Sequence, residues 1–345
     1  MKSILRASLI SMSLLAAVTS LPTVADSAPS YHVAKEVSLG APDRWDYLTY
    51  DVETHHLYVA HGDKVTVVDT AAGAVVGNVE GFPGGTHGIG ISHKFNKGYS
   101  DDGKAGTVQS FDLGSLKTIK TIKAREDADG IVVDPVTGHV FVINGDSGNI
   151  TVIDPATDTA TATIEAGEKL EFGVAGQDGK VFVDGAEKKE ILRIDTKTNS
   201  IDARWSISGC TSPHGIAIDA ATHRVFASCV NSVMVAVNAD SGAVVATVPI
   251  GKGTDAAAFD PKRKLVFSSN GTEGTLSVIL EKDSQTFVPM ATVKTAVTGR
   301  TMAVDPETGR LFVAAADVVP NEVGTNGRPK LVPGSLKLLF LDPDN

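Results

Sequence analysis

Val65-Thr66-Val67-Val68-Asp69 returns along the chain as Val108-Gln109-Ser110-Phe111-Asp112, Ile150-Thr151-Val152-Ile153-Asp154 and Ile191-Leu192-Arg193-Ile194-Asp195. Met234-Val235-Ala236-Val237-Asn238 continues the series, a degraded copy occupies residues 276–280, and Leu338-Leu339-Phe340-Leu341-Asp342 closes it. The closing residues up to Asn238 are 43, 42, 41 and 43 positions apart. A second marker alternates with the first: Asp134-Pro135-Val136-Thr137-Gly138, Asp260-Pro261 and Asp305-Pro306-Glu307-Thr308-Gly309. There, proline after aspartate starts a turn and glycine takes the positive φ. Short β-branched runs such as Val140-Phe141-Val142-Ile143 and Val225-Phe226-Ala227 lie between the markers, and no segment sustains a helical period. A repeat near 42 residues holding four short strands is the signature of a β-propeller. The units number seven, so the expected fold is all-β, a seven-bladed β-propeller over residues 26–345. The last unit stops at Asp342-Pro343-Asp344-Asn345, where an outer strand is due, and residues 31–39 are the spare strand. The N-terminal strand is therefore expected to pair into the last blade and remove an open edge.

Composition agrees with a packed, turn-rich protein. The 345 residues are 42% hydrophobic, which excludes disorder as the main state, and 34 glycines serve many tight turns. The net charge is −10, with no clustered Lys/Arg stripe, so nucleic acid is not an expected partner. Residues 1–25 read as a cleavable secretory signal: Lys2 and Arg6, then an apolar run from Ala7 to Val18, then Thr23-Val24-Ala25 before Asp26. That run is too short to span a bilayer, and no later stretch approaches ~20 apolar residues, so no membrane span is expected. The mature protein is expected to be periplasmic or secreted. In such an oxidising space Cys210 and Cys229, the only cysteines, are expected to form a disulfide, with two buried free thiols as the alternative.

Several stretches carry a family resemblance. Phe111-Asp112-Leu113-Gly114-Ser115-Leu116-Lys117, Phe141-Val142-Ile143-Asn144-Gly145-Asp146-Ser147, Pro249-Ile250-Gly251-Lys252-Gly253 and Phe267-Ser268-Ser269-Asn270-Gly271 are four of them. Gly299-Arg300-Thr301-Met302-Ala303-Val304-Asp305 and Val332-Pro333-Gly334-Ser335 belong to the same set. In these the chain resembles the YVTN-repeat, YncE-like exported bacterial propellers over essentially all of residues 26–345. The resemblance implies seven blades with a funnel at one face. It implies no reaction, since fold does not dictate function, and no role for His214 within Thr211-Ser212-Pro213-His214-Gly215.

The repeat register singles out one position per blade. Aligning Asp51, Asp134, Asp219, Asp260 and Asp305 puts Asp46, His87, Asp129, Glu171, His214, Asp255 and Arg300 at the start of the innermost strands, 41 to 45 residues apart. All seven should ring the mouth of the central channel. His87, Asp129, Glu171, His214 and Asp255 form a candidate set for a divalent metal ion. Imidazole with carboxylate suits Zn, Mn, Fe or Cu, and carboxylates alone suit Ca. Four converging acids repel one another, which raises a pKa or recruits a cation. Asp46, Arg300 and Arg328 are candidate contacts for a small ligand. Arg328 lies in the long insertion 317–334, readable as a lid or as a solvated loop. A water-filled polar tunnel is the competing account of the ring.

Other residues divide between site and turn. His61, Asp101, Asp102, Asn144, Asp146, Asp184, Asn231 and Asn270 open on the same face, and turn residues are the favoured reading of each. Gly145-Asp146-Ser147-Gly148 has protease-like letters but aligns with inter-strand turns. Three functions fit: a module binding a metal ion or small ligand at the funnel mouth, a metal-dependent lactonase- or lyase-like enzyme with Glu171 or Asp129 moving a proton, and a scaffold docking an exported protein partner. The binding module is the leading expectation.

Overall fold

The computed structural model describes residues 29–324 and 327–344; residues 1–25, where a secretory signal is expected, lie outside them. Seven four-stranded antiparallel sheets follow one another in chain order. Blades 1 to 6 span residues 48–80, 89–123, 128–165, 170–206, 213–249 and 254–294. Each runs consecutively from its innermost to its outermost strand. Blade 7 holds the strands Thr301–Val304, Leu311–Ala315 and Lys337–Pro343, with Tyr31–Ser38 as its fourth. That strand pairs antiparallel with Lys337–Pro343, from Tyr31 opposite Pro343 to Ser38 opposite Lys337. Among the described residues the only helix is a single 3-10 turn, His93–Phe95.

The two sequence markers fall at two of the three turns of a blade, after the first strand and after the third. Asp69, Asp112, Asp154, Asp195 and Asn238 end the third strands and accept backbone N–H groups two or three residues on, as Asp69 does from Ala71 and Ala72 at 2.9 Å. The aspartates of the other marker close the first turn of the blade. Asp134 accepts from the Thr137 backbone and hydroxyl at 2.8 and 2.6 Å, and Asp51, Asp219 and Asp305 accept from Thr54, Thr222 and Thr308. A short carboxylate that mimics a turn carbonyl is the reason aspartate recurs there.

Packing repeats as faithfully. One aromatic ring sits at the same register in every second strand: Tyr58, Tyr99, Phe141, Phe182, Phe226, Phe267 and Phe312, all fully buried. Alternation along each strand sends these rings into the contacts between blades, and each contributes roughly 1.5–3 kcal/mol by leaving water.

One inter-blade contact carries a pH signature. Glu281 of blade 6 is 1% exposed, and the Thr222 hydroxyl of blade 5 lies 2.7 Å from both its Oε1 and the Asp219 carboxylate. One hydroxyl hydrogen cannot serve two carboxylates, so a protonated Glu281 completes the network. Burial pushes Glu281 up to about 7, opposed by Thr222 and Arg224 and reinforced by Asp219. An acid whose folded pKa is raised favours folding most below its unfolded pKa and loses that stability as pH climbs to the folded value. Glu281→Gln is therefore expected to raise the unfolding free energy by about 1–3 kcal/mol at pH 8, the gain shrinking toward pH 5. Thermal melts at the two pH values check this; an equal shift at both would refute it.

Candidate functional site

The rim side chains reach the channel through a backbone device. In blades 3 to 6 the pairing of first and second strands slips where the rim residue stands: at Asp129, at Glu171 with Phe172, at His214 and at Asp255. Such a bulge adds an unpaired residue and re-aims its side chain. Next to it, Gly88 and Gly215 let neighbouring inner strands close up; a Cβ at either would lie 2.5 Å from the next blade's backbone.

The structure groups the seven rim residues unevenly. Asp46, His87 and Asp129 offer one ligand atom each within 4.8 Å of one another. Arg300 spans Asp255 at 2.9 Å and Asp46 at 3.8 Å, and stacks on Trp45 at 5.7 Å. Glu171 lies 3.9 Å from both His214 and Lys169. The five-residue set is thus split. His87 and Asp129 stand together with Asp46, which the register had assigned to a small ligand, whereas Asp255 is neutralised by Arg300 and Glu171 faces His214. His87 and His214 line the same cavity but belong to different groups. The reason is charge pairing, which a register alone does not reveal.

His87 is the most thoroughly held of the ring. Its Nδ1 is 2.8 Å from Asp101 Oδ2, and Asp101 Oδ1 accepts the backbone N–H groups of His87 and Gly88. Asp101 is completely buried, so burial raises its carboxyl to about 6 against the pull of His87. Burial would lower the imidazole, but the Asp101 contact and the charges of Asp46 and Asp129 lift it to about 9. With Nδ1–H on Asp101, the other nitrogen, Nε2, faces the mouth. A carboxylate behind a histidine is the arrangement that fixes tautomer and ring in metal sites. Burial also raises Asp46, Asp129 and Glu171, with neighbouring acids adding to it.

Directly below, the channel is not open. Tyr47 and Phe172, each one residue past a rim position and three blades apart, stack with centroids 4.1 Å apart. Burial, then the charges of Asp129, Asp255, Asp46 and Glu171, push the Tyr47 hydroxyl far above its ordinary range. The rim is therefore the wall of a cup with an aromatic floor rather than the mouth of a tunnel. Beyond the floor, the far ends of the inner strands of blades 1 to 4 line a separate, largely apolar cavity of about 420 Å³. Beside the floor, Asp184 is wholly buried with neither carboxylate oxygen hydrogen-bonded; burial, then Glu171, hold its carboxyl well above the usual range.

The cup encloses about 720 Å³. Asp46, His87, His214, Asp255 and Arg300 line it, and so do Arg328, Pro329 and Leu331 from the insertion. That insertion forms a two-stranded hairpin, Val318–Val323 with Pro329–Leu331. The Asp43 carboxylate accepts the Gly334 and Leu336 N–H groups at 2.6 and 3.0 Å, anchoring the hairpin beside the cup. Cys210 and Cys229 are disulfide-bonded, and Cys229 pairs opposite Pro213, beside His214.

Several residues assigned to turns have other work. His61, Asp102, Asn144 and Asn270 are buried, and Asp101 and Asp102 hold His87 and the Gly84 backbone. Asp146 and Ser147 do sit in a turn, Ser147 donating to the Glu126 carbonyl. Sequence reasoning missed Arg44, Trp45 and Tyr47, which flank the rim position Asp46 ahead of the first blade's strand; the register marked only the rim residue itself. The Asp101-Asp102 doublet was the one available signal, two acids where other blades carry one polar residue.

The comparisons with known proteins join this picture here. No family model matches the chain, and no curated protein does. Solved structures match it along nearly its whole length. The chain is a seven-bladed β-propeller. A propeller in the structure entitled "Crystal Structure of Mitotic Checkpoint Complex" covers 98% of this chain and 99% of its own at 15% identity, TM-score 0.74. The structure of U3-55K covers 90% and 99% at 10% identity, TM-score 0.76. A Kuenenia stuttgartiensis hydrazine synthase chain covers 78% and 91% at 14% identity, TM-score 0.69. At such identities the likeness is one of fold alone, a WD40-like propeller. Among the described residues no helix is long and apolar enough to cross a membrane.

Proposed function

We propose that the protein is an exported metal-binding propeller of the YVTN-like type, which holds one divalent ion at Asp46, His87 and Asp129. The observation that carries this reading is the convergence of those three donors within 4.8 Å, with the histidine backed by buried Asp101. Two carboxylates and an imidazole suit zinc, manganese or iron. The ion would replace the proton that His87 carries and offset the burial and the neighbouring acids that together raise Asp46 and Asp129. Asp129 is then a ligand rather than a proton carrier. Export by residues 1–25 belongs to the same proposal, and the Cys210–Cys229 disulfide is in keeping with an oxidising compartment.

A second reading, a metal-dependent hydrolase or lyase, is favoured by Glu171. Its carboxyl is raised by burial beside His214 across the mouth, the condition a general acid requires. Elemental mass spectrometry of the untagged protein, incubated with zinc and dialysed, tests the site. One zinc per chain is expected in the wild type and in His214→Ala, with at least a tenfold loss of affinity in His87→Ala and Asp129→Asn. Zinc absent from the wild type, or undiminished in His87→Ala, overturns the metal reading. Zinc lost equally in His214→Ala restores the wider five-residue ring.

A further inference from the structure

Arg44 is the unexplained cation of the cup. Its guanidinium stands at the wall between the 720 Å³ cavity and an adjoining one of about 620 Å³; Arg44 and His87 line both. Its Nη1 is 3.5 Å from the Gly84 carbonyl and its Nη2 3.3 Å from His87 Nε2. Its side chain is exposed, and among the described residues no carboxylate comes within 4.0 Å of it. Gly85 has φ +105°, and a Cβ there would lie 2.5 Å from the guanidinium.

The nitrogen that Arg44 approaches is the one a metal would take. A zinc ion sits about 2 Å from its imidazole nitrogen, so metal and guanidinium would be like charges a few ångströms apart with no anion of the protein between them. An oxyanion bound to both removes that conflict. We infer that the cup receives a small carboxylate, with one oxygen on the metal and the carboxylate plane facing the Arg44 fork. Arginine presents paired, planar donors that match a carboxylate in a way a lysine ammonium does not. This inference rests on the metal reading above and names the class of ligand for the same site.

Calorimetric titration of malonate into the zinc-loaded protein tests it, with bound zinc counted before and after. The zinc-loaded wild type is expected to bind malonate at least tenfold more tightly than the metal-free protein. Arg44→Gln should keep its zinc and melt like the wild type while losing at least tenfold in malonate affinity, and Arg44→Lys should fall between. Undiminished malonate binding by zinc-loaded Arg44→Gln, or none by the zinc-loaded wild type, overturns the inference and leaves the metal site standing. Failure of the wild type to hold zinc overturns both readings.

Discussion

Removal of residues 29–38 is expected to cost on the order of 5 kcal/mol or more, lowering the melting midpoint by at least about 10 °C and driving the protein into aggregates. The deleted strand carries little sequence identity with the other outer strands, yet it closes three accounts at once. Tyr31 and Val37, 5% and 7% exposed, leave the core, and Tyr31 abandons its edge-on contact with Phe267 of blade 6 at 5.4 Å. Each such burial is worth roughly 1.5–3 kcal/mol. The ladder to Lys337–Pro343 also breaks, at about 0.5–1.5 kcal/mol for each hydrogen bond. What remains is a bare edge over Leu338, Leu339, Phe340 and Leu341, the kind of surface that recruits other chains. Differential scanning calorimetry with size-exclusion chromatography reads both effects; a monomer melting within a few degrees of the intact chain would contradict the argument.

The second large effect comes from a single methyl group. Gly103 faces the imidazole of His87: a Cβ there would lie 2.5 Å from its Cε1 and 2.9 Å from its Nδ1, with the Ala128 carbonyl at 3.0 Å behind. The backbone oxygen cannot retreat, whereas the half-buried ring can swing away, and in doing so it leaves Asp101. Gly103→Ala is expected to weaken zinc binding by about 10- to 100-fold, the usual cost of losing the partner behind a metal-bound histidine. Its far-UV circular dichroism and melting curve should stay close to those of the intact protein. A variant that folds normally and binds zinc as before would show that the ring orientation set by Asp101 does not matter to the site.

How much of this was legible beforehand follows from what a repeat can encode. The turn aspartates and the strand-length apolar runs recur at a fixed period, so the seven blades and the seven rim positions could be counted without coordinates. Outer strand Tyr31–Ser38 was legible only as a vacancy at the other end of the chain. Within the cup the register supplied positions but not partners. It placed Asp255 and Arg300 in one ring without telling that they pair at 2.9 Å, and so counted a neutralised acid among the metal donors. Arg44 and Tyr47 lie on either side of the rim position Asp46, and a register that marks only the rim residue says nothing of the positions beside it. Asp101 was read as a turn residue because aspartate at a loop opening usually is one; its burial beneath His87 is a tertiary fact.

The Tyr47–Phe172 stack makes the molecule a blind vessel. Whatever binds at the mouth meets two rings in contact where the bore would continue, beside the Val318–Val323 and Pro329–Leu331 hairpin at the lip. The opposite face, with its own apolar recess, can engage a second molecule without competing for the first. The ring thus carries two separate recesses, divided by a single aromatic pair.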